Sequence, residues 1–288
     1  MSGIEYLAPT TVADAVKALG SAKGNAKILA GGTDLLVQMR GGRLKPQVIV
    51  DLKRIPGMLE ITADTNGFLI GAAVPGVALG EHETLRKAWP GVVEAANLIG
   101  STQVQGRASL GGNLCNASPA ADSVPALIAA GAVCIIEGPK GRRELAVEKM
   151  QAGPGKTTMA PDEILIALRL PVRPPKSADA YLRLIPRTEM DIAVVGAGVS
   201  LTLDGAGKCA AARVSVGAVA PTTLLVDAGG AALIGSSLGA DALSKMEAAV
   251  AAACKPISDK RGTAEYRTKI ACVLARRAAT IAFERARA

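Results

Sequence analysis

Two glycine-containing segments have the residue types and spacing from which a phosphate-binding site can be built. The first starts as a short apolar strand, continues into two adjacent glycines and ends at a helix start. Glycine permits positive φ angles and lets a ligand approach the main chain, and successive N–H groups at a helix start attract anions. The segment therefore predicts an anion-binding turn or, alternatively, a plain strand–turn–helix in which Asp34 caps the helix. It consists of Lys27, Ile28, Leu29, Ala30, Gly31, Gly32, Thr33, Asp34 and Leu35.

The second segment, residues 100–125, is rich in small residues, hydroxyls and amides. Such a composition disfavours both a helix and a core, but it supplies hydrogen-bond donors for a polar ligand. Leu110, Leu114, Val124 and Leu127 would anchor it to a core. We therefore expect irregular backbone folded around a ligand rather than a mobile loop.

Two other glycine patterns resemble nucleotide-binding motifs only in part. Residues 155–158 look like the end of a P-loop, but Met150 stands where the first glycine is needed and Pro161 follows where a helix is required. Residues 196–198 carry G-x-G without the third glycine of a dinucleotide fingerprint. The first of these patterns indicates a basic turn instead.

The cysteines and the single histidine argue against metal or nucleophilic chemistry in this chain. The five cysteines are odd in number and include no C-x-x-C pair, which argues against a disulfide framework and against a zinc or iron–sulfur site. His82 stands between two glutamates and indicates a solvated helix start. We assign no catalytic residue and no metal ligand.

The charge balance and hydropathy limit the partners. A net charge of +8 suits a phosphate cofactor or an acidic subunit, whereas 2% aromatic residues are too few to stack single-stranded bases, so no nucleic acid is expected. The stretch from Met1 to Glu5 lacks the basic and apolar regions of a signal peptide, and no run of apolar residues is long enough for a membrane span. We expect a cytoplasmic protein.

Local patterns predict β-α-β units in the first fifty residues. Thr11 followed by Asp14 predicts a capped helix start, and Gly20 predicts the end of that helix. Strands are predicted at residues 27–30 and 48–51.

Further strands and a linker follow. Strands are predicted at residues 68–70 and 133–136, and residues 164–170 predict an edge strand because Pro171 comes next. The proline-rich residues 171–176 form the best candidate linker.

Beyond this linker the pattern changes to a small antiparallel sheet followed by helices. Strands are predicted around residues 192–203 and 211–220. Helical spacing predicts that the last helix buries Tyr266, Ile270, Val273, Leu274 and Ile281.

The two glycine segments together resemble a known family. A-G-G-T-D-L-L near residue 30 and S-L-G-G-N-L-x-N-A-S-P-A-A-D near residue 115 are similar to the FAD-binding subunit of molybdenum hydroxylases of the xanthine dehydrogenase and carbon monoxide dehydrogenase family. The resemblance implies an α+β chain with an FAD-binding domain of the vanillyl-alcohol-oxidase (PCMH) type at residues 1–174. Its subdomains would span about 1–55 and 56–174. Residues 175–288 would form the C-terminal domain of the carbon monoxide dehydrogenase flavoprotein type.

The same resemblance implies a role for individual residues. FAD would lie extended between the two subdomains, with its pyrophosphate wrapped by residues 27–35. Next to the flavin and its ribityl chain would lie Ser109, Gly111, Gly112 and Asn113. The remaining expected contacts are Asn116 on the phosphate side, Asp122 at ribose or ribityl hydroxyls, Ile164 and Leu165 at the adenine, Arg183 near the flavin ring and Ile192 over the isoalloxazine.

The resemblance further implies partners. The substrate would be oxidised at a molybdenum cofactor on a separate large subunit, and a small subunit with iron–sulfur clusters would pass single electrons to FAD. FAD would deliver them to NAD, a quinone or oxygen. The assembly would be a heterohexamer containing three kinds of chain.

Some residues depart from the family pattern. Carbon monoxide enzymes carry A-G-G-H-S where this chain has Thr33 and Asp34, and they have an aromatic residue where Ile192 stands, so carbon monoxide is the less favoured substrate. Ser109 replaces a more usual threonine. The chain also lacks the cysteine-bearing insertion of the branch that reduces aromatic acyl-CoA. Two alternatives stay open: a self-sufficient FAD-dependent oxidoreductase of the vanillyl-alcohol-oxidase group, and a non-catalytic assembly protein.

Overall fold

The chain begins with a parallel sheet of three strands in the order β1-β3-β2. A computed structural model describes residues 3–288; Met1 and Ser2, which begin the N-terminal stretch considered above, lie outside the described residues. The first elements are β1 (Glu5–Leu7), α1 (Val12–Ser21), β2 (Ala26–Leu29), α2 (Leu35–Arg40) and β3 (Val48–Asp51). The predicted β-α-β pattern is confirmed. Because β2 and β3 run parallel, their carboxyl ends lie at the same edge of the sheet.

The start of α1 is confirmed and its predicted end is wrong. The Thr11 hydroxyl oxygen accepts the N–H of Asp14 at 3.1 Å, as an N-cap should. The helix continues through Gly20 to Ser21. The chain turns at Lys23 and Gly24, and the φ of 87° at Gly24 is a left-handed conformation that glycine adopts without strain.

A second sheet is antiparallel and has five strands in the order β4-β5-β10-β6-β7. The predicted edge position of residues 164–170 is therefore wrong, because this strand is the central one. Pro171 lies just beyond its end, where it removes no ladder hydrogen bond. A separate hairpin is formed by β8 and β9, and Gly155, with φ 70°, lies in its turn. This agrees with the interpretation of residues 155–158 as a basic turn. The strands are β4 (Ile61–Asp64), β5 (Gly67–Gly71), β6 (Val133–Gly138), β7 (Gly141–Ala146), β8 (Gln151–Gly153), β9 (Lys156–Thr157) and β10 (Ile164–Leu170).

Short helices lie between these strands, and they correct the expectation of irregular backbone at residues 100–125. That segment contains two complete helices and the start of a third, because the Ser109 hydroxyl caps one of them. The anchoring role of its apolar residues is confirmed, since all four are buried. The helices are α3 (Gly76–Glu81), α4 (Glu83–Ala88), α5 (Pro90–Ala96), α6 (Thr102–Gln105), α7 (Leu110–Cys115) and α8 (Ser123–Ala129), with a 3-10 turn at Val147–Lys149.

The last part of the chain is an antiparallel sheet of four strands in the order β11-β12-β13-β14, covered by helices. This confirms the predicted sheet and the α+β class. The longest helix, α11, packs across β11 and β12. The elements are β11 (Ser177–Leu184), β12 (Val195–Leu203), β13 (Cys209–Gly217), β14 (Leu224–Leu225), α9 (Asp227–Ala231), α10 (Ala240–Ala253) and α11 (Ala264–Arg287).

The buried face of α11 differs from the predicted one. Of the five residues expected to face inward, Leu274 is buried and Ile270 and Ile281 are half-buried against the core, whereas Tyr266 is 44% exposed. Alanine lets the helix axis approach the sheet more closely than larger side chains would, so the small residues make the contact. The buried side chains are Arg267, Ala271, Leu274, Ala275, Ala278, Ala279, Ala282, Phe283 and Ala286.

Residues 171–176 are coil, as a linker should be, but one of them is firmly packed. The guanidinium of Arg173 lies 4.1 Å from the centre of the Trp89 ring and pairs with Asp179 at 2.8 Å. The same carboxylate accepts the N–H of Val92 at 3.1 Å. Burial raises the pKa of Asp179, and Arg173 opposes that shift. These contacts join α5 to β11 across the predicted boundary near residue 174, which stays a prediction.

Candidate functional site

The two glycine segments meet through their main chains. A Cβ atom placed on Gly31 would overlap the carbonyl oxygen of Arg107 and crowd the amide of Ala108. Only glycine permits so close an approach between two backbones. The contact brings the turn after β2 against the residues that precede α7, although the two segments lie far apart in sequence.

The turn after β2 presents main-chain donors. Gly32 adopts a φ of 79°, and its carbonyl oxygen accepts the N–H of Leu36 at 3.0 Å as α2 begins. Within residues 3–288, the amides of residues 31–34 donate no hydrogen bond. The Asp34 side chain makes no capping hydrogen bond, so the alternative in which this carboxylate caps α2 is wrong. Consecutive unpaired amides of this kind suit an anion.

The position of this turn is held from the neighbouring strand. Lys53 Nζ donates to the carbonyl oxygen of Ala30 at 2.9 Å and to Asp51 Oδ1 at 2.7 Å. The Tyr6 hydroxyl donates to Asp51 Oδ2 at 2.6 Å. Burial acts to raise the pKa of Asp51, but the hydrogen bonds from Lys53 and Tyr6 outweigh it, so this pKa lies below its usual value. The supporting roles of Lys53 and Tyr6 were not predicted from the sequence.

The second segment is fixed by its own cap. Ser109 is 2% exposed, and its hydroxyl oxygen accepts the N–H of Gly112 at 3.0 Å, which caps α7. A Cβ atom on Gly111 would overlap the carbonyl oxygen of Ala72, so this glycine also serves a close main-chain approach. Contacts of these residues with a flavin stay a prediction.

Side-chain amides continue the link between the segments. Gln38, on α2, donates from Nε2 to Asn116 Oδ1 at 3.2 Å. Asn113 lies one turn earlier on the same face of α7 and accepts from Ser123. Asn116, at the end of α7, therefore lies beside α2, and Asn113 lies beside the start of α8.

A buried ion pair joins the end of the second segment to the C-terminal sheet. Asp122 Oδ2 accepts from Arg183 Nη1 at 2.9 Å, and Asp122 Oδ1 accepts from the Tyr181 hydroxyl at 3.3 Å. The side chains of the ion pair are 11% and 5% exposed. Burial raises the pKa of Asp122, whereas Arg183 lowers it. Burial also raises the pKa of Tyr181 well above its ordinary value.

Comparisons with known proteins place this geometry in a family. Residues 2–173 match the family model described as the FAD binding domain in molybdopterin dehydrogenase, and residues 180–282 match the carbon monoxide dehydrogenase flavoprotein C-terminal domain. The chain belongs to the family of FAD-binding subunits of molybdenum hydroxylases. It is thus the flavoprotein component of an oxidoreductase, and FAD is its cofactor.

Individual relatives match over nearly the whole chain. The carbon monoxide dehydrogenase medium chain of Afipia carboxidovorans is 36% identical and covers 98% of both chains. The putative xanthine dehydrogenase FAD-binding subunit of Escherichia coli K12 is 31% identical over 91% of this chain and 90% of its own. A crystal structure of the Cu,Mo-CO dehydrogenase in its cyanide-inactivated form matches with a TM-score of 0.94 at 35% identity, over 98% of both chains.

The remaining predicted FAD contacts of this subunit differ in accessibility. Ile192 is 53% exposed, so its side chain is available to cover a ring. Ile164 and Leu165 are buried in the core and offer almost no side-chain surface, so their adenine contact stays a prediction. Lys27 is exposed, and residues 28–33 are half-buried.

The described residues of the subunit also form two surface clefts of about 560 and 340 Å³ beside α1. Lys17 and Ser21 line both of them, and residues 31–34 line neither. The features that suit a cofactor are therefore the unpaired amides of residues 31–34 and the close approach of Gly31 to Arg107, and not a large cavity. On that basis FAD fits, because its pyrophosphate would satisfy the unpaired amides of residues 31–34.

A first prediction concerns the contact between the glycine segments. Replacement of Gly31 by alanine should raise the FAD dissociation constant at least about tenfold, because the new Cβ atom pushes Arg107 away from the turn. Gly106→Ala is the matched control, since a Cβ atom there meets only Gln103 O, at 3.5 Å. Titration of each deflavinated variant with FAD measures both constants. Equal affinity of Gly31→Ala and wild type would contradict the assigned site.

A second prediction concerns the buried ion pair. Asp122→Ala should lower the free energy of unfolding by about 3–5 kcal/mol, because Arg183 is then buried without a partner. Asp64→Ala should have little effect on this free energy, since Asp64 is half exposed and pairs with Arg169 at the surface. FAD affinity should fall in the first variant only.

Urea unfolding of the two variants measures these costs. Adding Arg183→Met to Asp122→Ala should restore much of the lost stability, because it removes the unpaired charge. If the double variant is no more stable than Asp122→Ala, an unpaired Arg183 is not the cause of the loss.

Proposed function

We propose that this subunit is an electron relay within a heteromeric molybdenum hydroxylase. It receives electrons from a small iron–sulfur subunit, while a large subunit with the molybdenum cofactor oxidises the substrate. The observation that carries the proposal is the turn of residues 31–34, whose amides are unpaired and whose Gly31 packs against the main chain of Arg107. The names of the relatives support it, because they describe a medium chain and an FAD-binding subunit.

Residues of this chain would bind FAD from one end to the other. The amides of residues 31–34 would hold the pyrophosphate, and the α7 face with Asn113 and Asn116 would contact the neighbouring part of the molecule. Arg183 and Ile192 would lie at the flavin ring. When bound, FAD supplies the exchange between one-electron and two-electron carriers.

Arg183 is restrained before any ligand arrives. Its charge is neutralised by Asp122, and both side chains are almost fully buried. The guanidinium therefore keeps a fixed orientation without adding an unpaired charge beside the ring. We propose that this pair sets the polarity at the flavin end of the site.

The substrate of the complex belongs to the large subunit. One relative is named for carbon monoxide and another for xanthine, at similar identity to this chain. The departures at Thr33, Asp34 and Ile192 favour a substrate other than carbon monoxide. The final acceptor would be NAD, a quinone or another oxidant.

The one histidine of the chain has a structural role. His82 Nδ1 accepts the N–H of Leu85 at 3.2 Å and so caps α4. Since a capping histidine is engaged with the main chain, we do not assign it to proton transfer. Substrate oxidation by this chain alone would need another residue to accept a proton from the substrate, and we assign no such residue.

A third prediction tests the relay directly. The purified subunit should be yellow, and acid should release all of its flavin, because the contacts proposed for FAD are hydrogen bonds. With FAD bound, it should reduce no dye with the substrate of the native complex until the molybdenum and iron–sulfur subunits are added. Dye reduction by the subunit alone would favour the self-sufficient oxidoreductase. A colourless subunit that cannot take up FAD would favour the assembly protein.

A further inference from the structure

Ser123 fixes the orientation of an amide on the cofactor face of α7. Its backbone N–H lies 3.2 Å from Asn113 Oδ1, and its hydroxyl oxygen lies 2.7 Å from the same atom. A backbone N–H can only donate, so the Asn113 atom that it faces must be the carbonyl oxygen. The amide therefore cannot be turned over without leaving this N–H unpaired.

Burial makes that constraint costly to break. Ser123 is fully buried and is the first residue of α8, so its N–H has no partner within the helix. Asn113 Oδ1 supplies the missing acceptor. A buried N–H without an acceptor is strongly destabilising, which favours the observed amide orientation.

The other end of the amide is left as a donor. Within residues 3–288, Asn113 Nδ2 has no hydrogen-bond acceptor, and the residue is half-buried. Leu110 and Leu114 are buried in the core, and the half-buried Asn113 lies at the edge of that buried face. The free NH2 group thus lies on the half-exposed side of α7, three residues before Asn116, which contacts α2 through Gln38.

The amide orientation of Asn116 is not fixed in this way. Its partner, Gln38, is itself an amide that can donate or accept. If both side chains turned over, their hydrogen bond would survive with the roles exchanged. Of the two asparagines on this face, only Asn113 has its polarity set by a group that cannot reverse.

We propose that Ser123 is a positioning residue that makes Asn113 a hydrogen-bond donor to FAD. This inference rests on the proposed FAD site and adds the polarity of one contact. The NH2 group must meet an atom with a lone pair and no hydrogen, such as a flavin carbonyl oxygen or a phosphate oxygen. A ligand that offers only a donor at this place would be rejected.

Replacement of Asn113 by aspartate tests the contact with FAD without removing the hydrogen bonds from Ser123. A carboxylate still accepts both hydrogen bonds from Ser123, so the melting temperature of the deflavinated chain should be retained. The second carboxylate oxygen replaces the NH2 group and cannot donate a hydrogen bond to FAD. The FAD dissociation constant should therefore rise at least about tenfold. Asn25→Asp is the charge-matched control, because Asn25 is exposed at the opposite end of β2; its constant should stay within about twofold.

A neutral pair of variants keeps the proposal testable if the aspartate variant fails to fold. Ser123→Ala removes the hydroxyl donor and keeps the backbone N–H, so FAD should bind roughly threefold more weakly. In an Asn113→Ala background the same change should have no effect on FAD affinity, because Ser123 acts through Asn113. A purely structural role for Ser123 would give equal effects in both backgrounds.

The outcomes are separable from those of the proposed function. Failure of the wild-type chain to bind FAD would contradict the proposed function itself. Tight FAD binding by wild type and by Asn113→Asp alike would overturn this inference alone. Equal weakening by Asn113→Asp and Asn25→Asp would also overturn it, since the loss would then come from charge.

Discussion

The approach of the Gly31 main chain to that of Arg107 is the constraint on which the site depends. It brings a turn from a parallel sheet against a segment that precedes a helix of the antiparallel domain, and no side chain fits between them. Once this contact forms, the unpaired amides of residues 31–34 and the amide face of α7 lie on adjoining surfaces. Everything else in the site either supports this contact or extends it.

The supports are hydrogen bonds made by groups that are themselves held. Lys53 fixes the carbonyl of Ala30 because Asp51 fixes Lys53, and the Tyr6 hydroxyl in turn holds Asp51. Ser123 fixes Asn113 in the same way from the buried start of α8. Ligand-binding groups that are oriented before binding lose less entropy on association. A chain whose role is to keep a cofactor in place benefits from such preorganisation.

Local signals in the sequence predicted local structure well. Thr11 starts α1 and β3 spans the predicted residues, because caps and short apolar runs act within a few positions. The central place of β10 was missed, although its nearly continuous apolar run is typical of a strand buried on both faces. The supports of the glycine turn were missed because Tyr6 and Asp51 are 45 positions apart. The alanines on the buried side of α11 were missed because their burial depends on how closely the helix approaches the sheet.

A crystal structure of the subunit with FAD bound tests the central claim most directly, through the distances from the pyrophosphate oxygens to the amides of residues 31–34. The account predicts hydrogen bonds of about 2.7–3.2 Å to at least two of these amides, with Gly31 still against Arg107. It also predicts an FAD oxygen or nitrogen acceptor at Asn113 Nδ2. A pyrophosphate bound elsewhere, with these amides facing solvent, would contradict it.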